Sequence, residues 1–115
     1  MASNSDSGLS TLDYHVLLAM ARGPTHGYAI RDAVERESEG TLSPRAGSLY
    51  RVVARLMTSG FVAETEAPDD GGPHPGRARR YYELTSEGRG ALADEARRLK
   101  GAATLAEERL SVGRP

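Results

Sequence analysis

The sequence predicts a mainly α-helical chain with a small two-stranded β-ribbon and a long C-terminal helix, on three observations. Apolar residues recur at helical spacing in four segments, two runs past the middle alternate as strands do, and a heptad seam runs through the last quarter. The 115 residues have room for one modest core and not for two.

Ser10 and Asp13 have the spacing of a capping box, and Leu9 and Tyr14 that of a hydrophobic staple, so a first helix begins here. Leu12, Val16, Leu17 and Met20 form its apolar face. Gly23-Pro24 stops it, because the proline ring disfavours helical backbone at the residue before it. Thr25 is placed to cap a second helix of about three turns, with Ile30, Ala33, Val34 and Tyr28 turned inward and Gly40 at its exit. Ser43-Pro44 marks the start of a third helix, since the N–H that proline lacks has no partner in a first turn. That helix ends at Gly60. Leu49, Val53, Leu56 and Met57 cluster on one side of it, and Tyr50 falls with them, its ring in the core and only its hydroxyl reaching outward. Ser48, Arg51 and Arg55 cluster nearly opposite, flanked by Arg45.

Phe61 to Glu66 alternates apolar with polar residues, and so does Arg79 to Leu84, where Tyr81 and Tyr82 favour extended backbone. Together they predict a hairpin. The turn formers from Pro68 to Gly76 rule out a regular element between the strands and predict a mobile loop. Thr85 and Glu87 open a fourth helix, in which Leu92, Ala96, Leu99, Ala103, Ala106 and Leu110 recur as a heptad seam. From Ser86 to Leu110 it is roughly 37 Å long at about 1.5 Å per residue, more than this core needs. Its stripe is therefore expected to meet a second copy, with Leu12 and Val16 of the first helix joining the dimer contact. Gly88, Gly90 and Gly101 each subtract about 1 kcal/mol of helix propensity, and the alanine-rich seam suits a close contact between small residues. The expected organisation is a disordered N-terminus over 1–8, a first unit over 9–84, a dimerisation helix over 85–111 and a tail over 112–115.

Several function classes are excluded. Without cysteine there is no disulfide, no thiolate metal site and no cysteine nucleophile. No apolar run is long enough to span a bilayer and Met1 to Ser7 is unlike a signal peptide, so a soluble, cytoplasmic protein is expected. His15, His26 and His74 sit on different elements without ligand spacing, so neither a metal nor a cofactor is expected, and His26 should hydrogen-bond locally at its helix start. The glycine-rich stretch 71–76 has no lysine-serine or lysine-threonine partner to cradle a phosphate, and Asp69-Asp70 is a solvated turn. No serine sits in a nucleophile elbow and the core is too small for a substrate cleft, so the chain is not expected to be an enzyme.

Charge distribution is more telling than the formal net charge of -1. Arg45, Arg51, Arg55, Arg77, Arg79 and Arg80 lie between Thr41 and Tyr82, whereas residues 1–40 carry six acidic groups against Arg22, Arg31 and Arg36. Three helices, the third bearing arginines, followed by a ribbon make the order of a winged helix-turn-helix, whose third helix enters the major groove of DNA. Arginine pairs there with guanine O6 and N7. Arg45 and Arg51 are candidates for base or phosphate contact, Ser48 for a short hydrogen bond, and Tyr50 and Arg55 for phosphate. On the wing, Arg77, Arg79 and Arg80 are placed for phosphates or an adjacent minor groove, Arg77 foremost.

Leu12-Asp-Tyr-His-Val-Leu-Leu-Ala19, His26-Gly-Tyr-Ala-Ile30, Leu42-Ser-Pro with Gly47-Ser-Leu-Tyr50, and Arg79-Arg-Tyr-Tyr-Glu-Leu-Thr85 with Glu87-Gly88 follow one another in a specific order. In that order and spacing the chain resembles the PadR family of bacterial transcriptional regulators, from about Leu9 to Leu110. The resemblance implies a homodimeric repressor, its fourth helix swapped across the dimer, bound to a pseudo-palindromic operator of double-stranded DNA. The single C-terminal helix is similar to the compact subfamily, some of whose members bind drug-like aromatic compounds between the subunits; by analogy a small apolar effector is expected between the first and fourth helices at the dimer interface, where Ala96, Ala103 and Ala106 leave room for one. Two departures stand out. The fourth helix has no aromatic residue to stack a planar drug, so multidrug binding is not expected, and Pro44-Arg-Ala-Gly47 lacks the glycine that more often follows the family's proline at once. An alternative of a different class is a protein-protein interaction module that engages another chain through the seam helix, the winged fold serving as scaffold. It is distinguished by the absence of salt-dependent DNA affinity.

Overall fold

The computed structural model describes residues 8–67 and 80–112. In chain order the elements are α1 (Thr11–Ala19), β1 (Thr25–His26), α2 (Gly27–Glu37), α3 (Ala46–Thr58), β2 (Val62–Thr65), β3 (Tyr81–Leu84) and α4 (Ser86–Val112). The expectations for the N-terminus, for Asp69, Asp70, His74, Arg77 and Arg79, and for the tail after Val112 lie outside the described residues.

Local signals build α1 as expected. The Ser10 hydroxyl accepts from the Asp13 amide at 3.0 Å and the Asp13 carboxylate accepts from the Ser10 amide at 3.0 Å, closing the capping box. The start of α2 differs from the expectation. Thr25 does not cap it; it pairs with Tyr82 in a third, two-residue strand, and the cap passes to His26, whose Nδ1 accepts from the Ala29 amide at 3.3 Å. The local bond expected of His26 is thus present. Tyr28, expected inward, is exposed. Gly40 closes the end of α2 by donating to the Glu35 carbonyl at 2.9 Å, and Glu39 takes the left-handed backbone (φ 56°) more usual for glycine.

The Ser43-Pro44 signal also misplaces a helix start. The Ser38 hydroxyl accepts from the Leu42 amide at 3.0 Å, which holds this segment in a turn. Arg45 is still extended (φ -75°, ψ 158°), and α3 begins at Ala46 without a side-chain cap. Its exit is as expected: Gly60 has φ +86°, and the Phe61 amide donates to the Leu56 carbonyl at 2.9 Å.

The hairpin is present, and β1 extends it to a sheet of order β1-β3-β2, all antiparallel. The core lies between this sheet and the first three helices: Val16, Leu17, Met20, Ile30, Val34, Leu49, Val52, Val53, Leu56, Val62, Tyr82 and Leu84. Val16 was expected at the dimer contact, but at 0% exposure it leaves no surface for a second copy. Helix α4 is fastened at its first turn. The Thr85 hydroxyl donates to the Gly60 carbonyl at 2.6 Å and accepts from the Gly88 amide at 3.0 Å, while the Thr85 amide donates to the Phe61 carbonyl at 3.1 Å. Beyond Ala96 every residue of α4 through Ser111 is exposed. No described helix is long and apolar enough to cross a membrane.

Candidate nucleic-acid interface

Burial of Val52 beside Leu49, Val53 and Leu56 decides which way α3 faces. Met57, expected on that side, is half-buried and packs against the core at its margin, so the addition of Val52 turns the buried side by roughly a twentieth of a turn. The outward stripe therefore runs through Gly47, Tyr50, Arg51, Ala54 and Thr58, all exposed, with Arg45 exposed at the head of the helix. Ser48 is half-buried at one edge of this stripe. Small residues alternate with Tyr50 and Arg51, so the backbone of α3 can approach a ligand surface closely while two long polar side chains reach past it.

Tyr50 corrects the expectation that its ring belongs to the core: it is 55% exposed. The ring lies across the start of α2, where a Cβ on residue 27 would stand 3.2 Å from the Tyr50 hydroxyl. Glycine at 27 gives the ring that room. Tyr28 is exposed on the same helix start. The His26 and Tyr81 rings meet edge to face at 5.4 Å and brace α2 against β3.

Arg55 was expected to share the outward side with Ser48 and Arg51. It turns instead to α1, where Nη2 donates to Asp13 Oδ1 at 2.6 Å and Nη1 to Oδ2 at 3.2 Å. Asp13 is 2% exposed, a carboxylate buried under the helix that it also caps. Burial alone would raise its pKa. The bonds from Arg55, the Ser10 amide and the Ser10 hydroxyl outweigh that, together with the Arg55 charge, and hold the carboxyl below the usual aspartate range. The hydrogen bonds to Asp13, with its charge, raise the pKa of the Arg55 guanidinium further. A charged side chain on the third helix is thus matched by a partner that the sequence marked only as a capping residue. An acid at the head of α1 with no neighbouring base in sequence was the available signal.

On the wing, Arg80 is exposed, with Nε 4.0 Å from the Glu64 carboxylate of the adjacent strand. The seam residues divide. Leu12 and Leu92 pack on the core, Ala96 is half-buried, and Leu99, Ala103, Ala106 and Leu110 are exposed, Leu110 by 73%. Leu105, off the predicted seam, is exposed as well. Between α1, α3 and α4 lies a hollow of about 560 Å³ with Leu9, Leu56, Phe61 and Ala91 on its apolar side and Asp13, Arg55, Glu95 and Arg98 on its polar side. Among the described residues no three histidine or carboxylate side chains come together to hold a metal ion.

With this geometry in view, the profile of the transcriptional regulator PadR-like family matches residues 16–94. The chain is 43% identical over 81 residues to an uncharacterized 37.1 kDa protein in transposon TN4556 of Streptomyces fradiae; the match takes in 70% of this chain and 21% of that protein. The chain thus spans about a fifth of that relative's length. Among solved structures it is similar to a PadR-like transcriptional regulator from Bacillus cereus, with TM-score 0.71 and 19% identity over 86% of this chain and 90% of that one. It is similar too to Bacillus subtilis PadR in complex with operator DNA, with TM-score 0.62 and 22% identity over 76% of this chain and 47% of that one. At these identities the likeness shows the fold.

Proposed function

Since the chain belongs to the PadR-like family of transcriptional regulators, we propose that it is a DNA-binding repressor, acting as a homodimer on a pseudo-palindromic operator. The observation that carries this reading is the bare outward stripe of α3, with Arg51 at its centre, Arg45 at its head and small residues at 47 and 54. Such a rod fits the major groove, where Arg51 reads a base edge and Arg45 and the Tyr50 hydroxyl take phosphates. Ser48, at the edge of the stripe, supplies a short hydrogen bond. From the wing, Arg80, with Arg77 and Arg79, takes the backbone or the adjacent minor groove.

In this reading residues 9–84 bind DNA and residues 85–111 pair two copies. The exposed outer half of α4, with Leu99, Ala103, Leu105, Ala106 and Leu110, has no core of its own to cover it, which supports a second copy there. Leu12, Leu92 and Ala96 form the inner margin of that contact. The hollow between α1, α3 and α4 supports binding of a small apolar effector whose occupancy changes the spacing of the two α3 helices, and half-sites about 34–36 Å apart respond to such a change. The test is fluorescence anisotropy of labelled duplexes carrying the region upstream of the protein's own gene. Binding tighter than to random duplex at moderate salt is expected, with dimers in sedimentation. A dimer without salt-dependent DNA affinity defeats the reading and favours the interaction-module alternative.

A further inference from the structure

We propose that Asp13 is a positioning residue that withholds Arg55 from the DNA backbone and so sets the strength and salt dependence of DNA binding. This rests on the reading of α3 as the DNA-facing helix. Arg55 lies beside the outward stripe of α3, one turn from Arg51, and its side chain is 54% exposed, so the fold does not seal it in. Both of its terminal nitrogens nevertheless point back to one carboxylate. That carboxylate is fixed: it is buried and accepts from the Ser10 amide, while the Asp13 amide donates to the Ser10 hydroxyl and closes the capping box. Asp13 cannot follow Arg55 outward, so the pair forms with Arg55 against α1 or not at all. The other carboxylates around the same hollow, Asp94 and Glu95, are taken by Arg97 and Arg98. A guanidinium released from Asp13 thus finds its next anion in phosphate.

The pair is neutral as a unit, and α3 meets DNA with one cation fewer than its composition suggests. Phosphate contacts add affinity for every sequence alike, whereas base contacts discriminate. Holding one arginine back therefore lowers affinity for every duplex, random DNA included, and leaves the groups that read bases as they are. Each phosphate neutralised steepens the dependence of log affinity on log salt by about 0.9. One added contact makes affinity fall about 3.5-fold more between about 50 and about 200 mM salt.

The experiment is a salt series of anisotropy titrations on a random-sequence duplex and on the selected operator, for the full chain and for D13N, R55Q and D13N/R55Q, each first checked by circular dichroism. Asparagine keeps an oxygen for the Ser10 amide, and the double variant leaves no charge buried alone. D13N is expected to bind random duplex and operator alike more tightly at low salt, with a slope steeper by about 0.9 on both and an unchanged operator preference. R55Q and the double variant should keep the parent slope. An unchanged slope in D13N overturns the proposal, as does a slope shallower by about 0.9 in R55Q or the double variant, which would mean that Arg55 already holds a phosphate. If D13N fails to fold, D13S, which also removes the charge, is read by the same criterion; if R55Q fails, the double variant takes its place. Absence of DNA binding by the parent chain would instead sink the reading beneath the proposal.

Discussion

Gly88 and Gly90 stand two residues apart in the first turns of α4, and replacing each by alanine should move stability in opposite directions. A Cβ built on Gly88 lies 2.0 Å from the Phe61 carbonyl oxygen and 2.9 Å from its carbon, both backbone atoms, whereas one built on Gly90 meets nothing within 4 Å. An ordinary carbon-to-carbonyl approach is about 3.3 Å, so α4 and the start of β2 must part by about 1.3 Å in G88A. The two bonds that bring them together, from the Thr85 hydroxyl to Gly60 and from the Thr85 amide to Phe61, are lost or stretched at about 1 kcal/mol each. Displacement of the packed helix adds about 1–3 kcal/mol, and removing a helical glycine returns about 1 kcal/mol. G88A should therefore lose about 2–4 kcal/mol, while G90A gains up to about 1 kcal/mol. Urea unfolding at one fixed chain concentration, which holds the contribution of dimerisation constant, measures both. A G88A midpoint equal to or above the parent's would refute the close approach of α4 to residue 61.

The Asp13 carboxyl has its folded pKa below its unfolded value, so the unfolded chain binds more protons in the window between them. Its contribution is complete above the ordinary aspartate value of about 4 and is lost as pH falls through the lower folded value; D13N should cost about 1–3 kcal/mol at neutral pH and converge on the parent in acid, as read by urea midpoints across pH. R51A should weaken operator binding by about 1–3 kcal/mol and relax preference at one base pair, measured by anisotropy with single-site operator variants; a uniform loss across all sequences would make Arg51 a phosphate contact. Leu99→Glu, on the exposed part of α4, should convert a sedimenting dimer to monomer while leaving helical circular dichroism intact. E39G should stabilise the fold by up to about 1 kcal/mol, read as a higher urea midpoint, because residue 39 takes left-handed backbone.

The sequence by itself determined the features that depend on neighbours within a turn or two. The Ser10 and Asp13 capping box, the glycine exit at 60, the four apolar periodicities and the alternation of the ribbon all arise from contacts over a few residues, and each is legible wherever those residues occur together. Tertiary structure decided everything that requires a partner from far along the chain. Thr25 became a strand because Tyr82 offers it an unpaired edge, and Val52 joined the buried side of α3, with Met57 packed at its margin. That small rotation exposed Tyr50 and delivered Arg55 to a carboxylate 42 residues away. The physical reason is that periodicity fixes the angle between side chains on one helix, whereas the direction in which that helix faces, and the opposite charge it meets, are properties of the assembled core.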